Sequence, residues 1–174
     1  MDEGPAGRLE RIRRALEVHQ GRLIAFAWRI TGDLESARDV VQDTFLRLCR
    51  QDLDAIDDHL PAWLFRVCRN RALDVRKKER PMRPLPDIEE PPDTASADPH
   101  DQLEQTDGTR RILAALSGLP ATQQEALRLR FQEELSYKQI SAVTGHSVSH
   151  VGVLIHDGIR TIRRRLAGEG GPHA

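Results

Sequence analysis

The sequence has few aromatic residues, two cysteines and no long apolar run. Aromatic side chains make up 4% of its 174 residues, which argues against a large β-sandwich and favours compact helical cores. Cys49 and Cys68 have no CxxC partner, so we predict neither a disulfide framework nor a zinc cluster. No apolar stretch approaches the roughly 20 residues that span a bilayer. We therefore expect a cytoplasmic protein without membrane insertion.

The net charge of −1 conceals three electrically different segments. Residues 1–80 hold 16 basic and 14 acidic side chains, residues 81–107 hold one and eight, and residues 108–174 hold nine and five. The middle segment also has six prolines and almost no apolar residues, so it cannot build a core and is predicted to be a flexible acidic linker. Its carboxylates act either as a solubilising spacer or as a nucleic-acid mimic that occupies a basic channel.

The predicted fold class is therefore all-α, with two small helical domains, 1–80 and 108–174, joined by the linker 81–107. We expect helix to resume near Gln102.

Apolar spacing predicts two helices in the first domain, at 8–30 and at about 34–50, with Gly32 as the stop and Asp33 as the new N-cap. The predicted core stripe of the first helix is Leu9, Ile12, Leu16, Leu23, Ala27 and Ile30. The stripe of the second is Ala37, Val40, Val41, Thr44, Phe45 and Leu48. The opposite face of the second helix is polar: Arg38, Asp39, Gln42, Asp43 and Arg47.

A third helix is predicted after the acidic loop 52–58, with Asp58 as its cap and Pro61 in its first turn. The segment 62–80 holds seven Arg or Lys against two acids, which concentrates positive charge in a nearly neutral chain. Its predicted core side consists of Leu64, Cys68, Ala72 and Val75.

A second side of this helix carries side chains suited to nucleic acid: Trp63, Arg66, Asn70, Asp74 and Lys77. An indole stacks on bases, an amide pairs with a base edge, and cations hold phosphate. Each residue also has a structural alternative, since Trp63 alone is consistent with a core cap, Asn70 with a backbone hydrogen bond, and a basic run with a solvated face. Their coincidence on one helix favours nucleic-acid binding.

The last third of the chain is typical of a helix-turn-helix domain. The apolar residues of its first two helices are Ile112, Leu113, Leu116 and Leu119, then Ala126, Leu127, Leu129 and Phe131 within 121–133. Ser136 and Gln139 form a capping box, Gly145 supplies the tight turn, and Ser147 caps the final helix. The predicted inward stripe of that helix is Val148, Val151, Ile155, Ile159, Ile162 and Leu166. Its groove-facing side is Ser149, His150, Val153, His156 and Arg160.

No catalytic or cofactor-binding constellation is present in the sequence. A Ser-His-Asp set, a P-loop and a metal cluster are all missing, so we expect no enzyme, no cofactor and no metal. His146 and His150 have the spacing of helical metal ligands, but the helix begins between them and no third ligand accompanies them.

Three segments together resemble a bacterial sigma factor of the extracytoplasmic-function (ECF) group in the sigma-70 superfamily. They are TGDLESARDVVQDTFLRLCR, AWLFRVCRNRALDVRKKER and LPATQQEALRLRFQEELSYKQISAVTGHSVSHV. The resemblance implies an alternative sigma factor that binds RNA polymerase core at the β′ clamp coiled coil, melts promoter DNA and directs initiation. It also implies an anti-sigma factor as a partner.

The resemblance assigns roles to individual positions. It implies core binding by Asp39, Gln42, Asp43 and Phe45. It implies minus-ten DNA binding by Trp63, Arg66, Asn70, Arg71 and Lys77. The loop 52–59 matches a loop that holds a flipped base. For the minus-thirty-five element, the helix-turn-helix offers Lys138, Ser147, Ser149, His150, Val153, Arg160 and Arg163.

One departure from the family pattern concerns the final helix, which has no Lys or Arg between Lys138 and Arg160. Phosphate contacts are therefore sparse until Arg160, Arg163, Arg164 and Arg165. Val153 or Leu154 is placed to contact a thymine methyl. Alternatively, this apolar surface contacts protein, either an anti-sigma factor, the first domain or a second copy. The alternative function for the chain is a sigma-like regulator that titrates an anti-sigma factor or binds DNA alone.

Overall fold

The computed structural model describes residues 5–79 and 107–168, and in both ranges it consists of helices joined by short loops and turns. These residues form two compact units, one in each range, and neither range contains a β-strand. The predicted linker, Arg80 and the helix start near Gln102 lie outside the described residues. The first helix after the gap begins at Asp107, the last residue that we assigned to the linker.

Three helices build the N-terminal unit: α1 (Pro5–Thr31), α2 (Leu34–Leu48) and α3 (Leu60–Glu79). Gly32 has a φ of +73°, which suits glycine, and ends α1. The Asp33 carboxylate then accepts a hydrogen bond from Ser36 N at 2.9 Å, so the predicted N-cap of α2 is confirmed. All six predicted core residues of α2 are buried. The rings of Phe26 and Phe65 contact each other edge to face, with centroids 5.1 Å apart, and this contact joins α1 to α3.

The predicted core of α1 is wrong in its first turns. Leu9 is 67% exposed and Leu16 is also exposed, whereas the residues that α1 buries are Ala15, Leu23, Ile24, Phe26 and Ala27. For Leu9 the reason is length, because α1 has 27 residues and α2 has 15, so the first turns of α1 extend beyond α2. Leu16 is exposed because it lies on the outer side of the helix, next to the buried Ala15.

The start of α3 also differs from the prediction. A 3-10 turn, Asp57–His59, runs directly into α3 at Leu60. Asp58 therefore lies inside this turn and is not the helix cap, although Pro61 does fall in the first turn. Leu64, Cys68 and Ala72 are buried as predicted, while Val75 is half-buried. Burial raises the pKa of the Cys68 thiol to about 12, so this side chain stays neutral and serves the core.

Four helices build the C-terminal unit: α4 (Asp107–Ser117), α5 (Ala121–Phe131), α6 (Tyr137–Thr144) and α7 (Val148–Gly168). The predicted capping box is confirmed, since Gln139 N donates to Ser136 Oγ at 3.2 Å and Ser136 N donates to Gln139 Oε1 at 2.8 Å. Gly145 ends α6 with a φ of +78°. His150 N donates to Ser147 Oγ at 3.1 Å, so Ser147 caps α7.

Three apolar residues predicted to be inside this unit are outside. They are Ile112 of α4, Phe131, the last residue of α5, and Val148, the first of α7, all of which are exposed. The buried face of α7 consists of Val151, Leu154, Ile155 and Gly158. These positions follow the i, i+3, i+4, i+7 pattern of one helix face, and that face is rotated from the predicted stripe toward Leu154.

Candidate polymerase and promoter interface

The outward face of α3 carries the predicted minus-ten residues. Arg66, Asn70 and Lys77 are exposed, and Trp63 is half-buried at the start of the same row. Helical spacing of three or four residues places them in line. Because Trp63 is half-buried, its side chain is neither fully inside the core nor fully exposed, and both interpretations of it remain open. This face therefore offers a stacking surface followed by an amide and by cations.

The acidic loop before α3 is held in place by two arginines of α1. Arg8 donates to the carbonyl oxygens of Cys49 and Gln51, each at 2.8 Å. Arg11 pairs with Asp54 at 2.6 Å and with Asp57 at 2.9 Å. The Arg11 guanidinium, through its hydrogen bond and its charge, holds the pKa of Asp54 below its usual value. Sequence reasoning missed both arginines, since they lie more than 40 positions from the loop.

A cavity of about 330 Å³ lies between α1 and this loop. Ala15, Leu48 and Leu53 provide apolar lining, and Arg14 and His19 add basic side chains. His19 Nδ1 is buried and has no hydrogen-bond partner in the described part of the chain. Burial, reinforced by the charge of Arg22, lowers the pKa of His19. The lining thus combines apolar side chains with charged and hydrogen-bonding groups.

The exposed face of α2 differs from the predicted core-binding set in one residue. Asp39 and Gln42 are exposed as expected. Phe45 is only 6% exposed, because it belongs to the buried apolar stripe of α2. Little of its side chain is accessible to a partner, and its role in core binding stays a prediction. Leu46, which is 51% exposed, follows Asp39 and Gln42 at helical spacing. Leu46 is therefore the apolar residue of this face.

Asp43 and Arg71 bring the two predicted sites of the N-terminal unit into contact. Arg71 Nε donates to Asp43 Oδ2 at 2.8 Å. The sequence assigned one residue to polymerase and the other to DNA, and nothing in their spacing of 28 positions indicated that they meet.

The predicted minus-thirty-five residues all lie on the surface of the C-terminal unit: Lys138, Ser147, Ser149, His150, Val153, Arg160 and Arg163. Two neighbouring assignments are corrected. Leu154 is buried and cannot contact a thymine methyl, which leaves Val153. Arg165 is not a free phosphate ligand, because it donates to the carbonyl oxygens of Ala115 at 2.9 Å and Gly118 at 3.0 Å.

The imidazoles of His146 and His150 contact each other edge to face, with centroids 4.9 Å apart. Within 5–79 and 107–168, no group of three or more His, Cys, Asp or Glu side chains is arranged to hold a metal ion. None of the helices in these ranges has the length and apolar character needed to cross a membrane.

Family models match both units of the chain. The model described as Sigma-70 region 2 matches residues 15–81, and the model described as Sigma-70, region 4 matches residues 109–162. Both matches keep the order in which the two units occur along the chain.

Two curated relatives and two solved structures extend the match. The ECF RNA polymerase sigma factor SigL of Mycobacterium tuberculosis is 30% identical over 94% of this chain and 93% of its own length. SigE of Mycolicibacterium smegmatis is 30% identical over 86% of this chain, which spans 59% of that relative.

Among solved structures, CnrH in complex with the cytosolic domain of CnrY has a TM-score of 0.56 at 22% identity, over 95% of this chain and 93% of CnrH. RpoE of Bartonella quintana in complex with the anti-sigma factor NepR has a TM-score of 0.58 at 23% identity, over 91% of this chain and 98% of RpoE. At these identities the structures show a shared fold. The nearly full-length relative and the two matched regions show that this chain belongs to the ECF group of the sigma-70 family of RNA polymerase sigma factors.

Proposed function

We propose that the protein binds RNA polymerase core, directs it to promoters and opens the minus-ten DNA there. The observation that carries this function is the outward face of α3, where Trp63, Asn70 and Lys77 lie in one row beside a core that keeps the helix rigid. A stand-alone duplex binder has no use for an exposed stacking surface, whereas separated strands expose their bases to it.

The exposed stripe of α2 is the proposed contact for the β′ clamp coiled coil. Asp39 and Gln42 provide a charge and an amide, and Leu46 adds an accessible apolar side chain. A helix face with one apolar residue among polar ones suits docking against a helical partner, because the apolar side chain is buried while the polar ones fix the register.

Strand opening on this protein is a binding process and not a catalysed reaction. Unstacking a base costs a few kcal/mol, and stacking it on an aromatic ring offsets much of that cost. Trp63 supplies the ring, Asn70 reads a base edge, and Arg66 and Lys77 hold phosphates. The loop 52–59, which by the family resemblance holds a flipped base, is the proposed receptor for the base that leaves the stack. No bond is made or broken by the chain, so the function requires no cofactor.

The C-terminal unit docks on the minus-thirty-five element through α7. The surface of α7 favours recognition of DNA by shape over attraction by charge, because Val153 is 53% exposed and Arg160 is paired with Asp157 at 3.2 Å.

The same apolar exposure favours a second role in protein binding. Since both solved relatives are complexes, one of them with a named anti-sigma factor, we propose an anti-sigma factor as a further partner. All of these partners place the protein in the cytoplasm.

Run-off transcription tests the proposal. Core polymerase from the same bacterium is combined with the protein on a genomic fragment library, and the transcripts are sequenced. We expect initiation at a defined set of promoters that core alone does not use. Binding to core without any initiated transcript would instead support a sigma-like regulator that acts by protein binding.

A further inference from the structure

Asp43 and Arg71 form an ion pair that joins α2 to α3. Arg71 Nε donates to Asp43 Oδ2 at 2.8 Å, and the two side chains are 32% and 42% exposed, Arg71 being the less exposed. A pair this accessible adds little to folding stability, because water screens the two charges. What the pair does fix is the direction of the guanidinium, since a planar donor bonded through Nε cannot swing freely.

Asp43 belongs to the side of α2 that faces α3. Ser36 lies seven positions earlier and therefore on the same helix face. Its hydroxyl donates to Asp33 Oδ2 at 2.9 Å and also lies 3.3 Å from Glu79 Oε1 of α3. Ser36 and Asp43 thus contact α3 at two successive levels. Asp39 lies on the neighbouring, exposed face of α2. The carboxylate of Asp43 is directed to α3 and not outward with the stripe proposed for polymerase.

Arg71 follows Asn70 on α3, beside the row proposed to bind opened DNA. Within the described residues its guanidinium makes one hydrogen bond, the one from Nε. In that part of the chain no partner occupies the terminal amino groups, Nη1 and Nη2. Two parallel donors on a fixed plane match the oxygens of a phosphate, and an ordered side chain loses less conformational entropy when it binds.

We propose that Asp43 is a positioning residue for promoter DNA: it holds Arg71 so that Nη1 and Nη2 bind a backbone phosphate next to the base read by Asn70. This inference rests on the proposed function, in which α3 binds the opened strand. It reassigns Asp43 from the polymerase contact that the resemblance implied to the DNA contact made by its neighbour.

A double-mutant cycle in the holoenzyme tests the inference. The variants are Asp43→Asn, Arg71→Gln and the two combined, each assembled with core polymerase on a promoter selected by the wild-type holoenzyme from a random-sequence duplex library. The measurements are the rate of strand opening by permanganate reactivity, its salt dependence, the affinity for core and the thermal midpoint. Glu17→Gln is the matched control, because it removes an exposed ion pair from α1, Arg13 to Glu17 at 2.8 Å.

We expect Asp43→Asn and Arg71→Gln each to slow opening about three- to tenfold, and the double variant to open no more slowly than Arg71→Gln alone. The salt slope of Arg71→Gln should fall by about 1, as for one lost phosphate contact. Core affinity of Asp43→Asn should stay within about twofold of the wild type, since the carboxylate would act through Arg71. Glu17→Gln should change none of these quantities.

Three other results would overturn the inference. Additive losses in the double variant would show that Asp43 acts independently of Arg71. Weakened core binding by Asp43→Asn, with normal opening at saturating core, would return it to the polymerase contact. Recovery of opening by the charge-swapped pair, Asp43→Arg with Arg71→Asp, would show that only the bridge between helices matters. Absence of transcripts from the wild-type holoenzyme overturns the proposed function itself, whereas additivity overturns the positioning role alone.

Discussion

The two helices proposed to contact promoter DNA, α3 and α7, are equipped for it in opposite ways. Residues 62–80 concentrate seven basic side chains and α7 has no Lys or Arg before Arg160. A basic helix gains affinity from released counterions on any sequence, whereas a helix whose first three turns lack cations depends there on shape and on direct contact with base edges. We therefore expect the N-terminal unit to supply most of the affinity for DNA, and the C-terminal unit to bind mainly once polymerase has brought it to the promoter.

The largest expected effect concerns the stacking residue of α3. Trp63→Ala should slow open-complex formation about 5- to 150-fold while leaving core binding intact, because base stacking on an aromatic ring contributes about 1–3 kcal/mol. Asn70→Ala should act in the same direction. The rate is followed by 2-aminopurine fluorescence in the minus-ten region. Trp28→Ala is the matched control, since Trp28 is the other half-buried tryptophan of this unit but lies on α1. Equal losses in the two tryptophan variants would contradict the assignment of the α3 face.

The shape of α7 depends on close packing at one glycine and not at another. A Cβ on Gly158 would lie 2.8 Å from Leu127 Cδ1, whereas a Cβ on Gly152 would lie 3.7 Å from the ring of Tyr137, an ordinary contact distance. Gly158→Ala should therefore destabilise the C-terminal unit by about 1–3 kcal/mol. Gly152→Ala should stabilise it by up to about 1 kcal/mol through helix propensity.

Hydrogen exchange of the α5 and α7 amides measures both glycine variants without interference from the N-terminal unit. The pair forms its own control, because the two substitutions are chemically identical and lie on one helix. Destabilisation of similar size at both positions would mean that α7 does not pack as closely against α5 as the structure shows.

The features that sequence reasoning predicted correctly are local ones. Asp33, the Ser136 capping box and Gly145 are determined by residues within three or four positions, so their patterns are readable. Errors arise at the next level, where a helix rotates against its neighbours. In α7, for example, Val148 was predicted to face inward, whereas the structure exposes Val148 and buries Leu154.

Contacts between distant parts of the chain were not predictable at all. Arg8 and Arg11 look like ordinary solvated residues of an amphipathic helix, yet they hold the loop before α3. The ion pair of Asp43 and Arg71 is equally unpredictable from the local sequence, because it forms only when α2 and α3 align antiparallel. No local pattern encodes that alignment.

The contrast in charge between the two helices predicts weak DNA binding by the C-terminal unit alone. Residues 107–174 should bind duplex DNA with a dissociation constant in the micromolar range or weaker at physiological salt, as expected for few phosphate contacts. Fluorescence anisotropy measures this directly. Nanomolar affinity would show that α7 recognises DNA strongly without charge, and the proposed division of roles would then be wrong.

Adding one cation to α7 should reduce its deficit of basic charge relative to α3 and tighten DNA binding by a predictable amount. Val153→Arg places a guanidinium on the exposed face and should tighten DNA binding by the full chain about fivefold, with a salt slope steeper by about 0.9. Val153→Gln serves as the control for side-chain size without charge. If Val153→Arg left both affinity and slope unchanged, the face that carries Val153 would not lie against phosphate.

The smallest expected effect concerns how the two units hold the turns before their DNA-binding helices. The loop before α3 is held by the charged pairs of Arg11, whereas the turn before α7 is held by neutral caps at Gly145 and Ser147. Arg11 lowers the pKa of Asp54 in the folded protein, so its stabilising contribution is present above the unfolded pKa and is lost as pH falls through the lower, folded value. Acid should therefore loosen the first loop and spare the second turn.

A carboxyl titration by NMR checks this difference. In the wild type the Asp54 resonance should titrate below the usual range for aspartate, and in Arg11→Gln it should return toward that range. Arg13→Gln is the matched control, because it removes a guanidinium of the same helix that pairs with Glu10 and Glu17 instead. An Asp54 titration that is insensitive to Arg11→Gln would mean that the loop is held by Arg8 and by its buried apolar residues alone, and that charge does not distinguish how the two units present their DNA-binding helices.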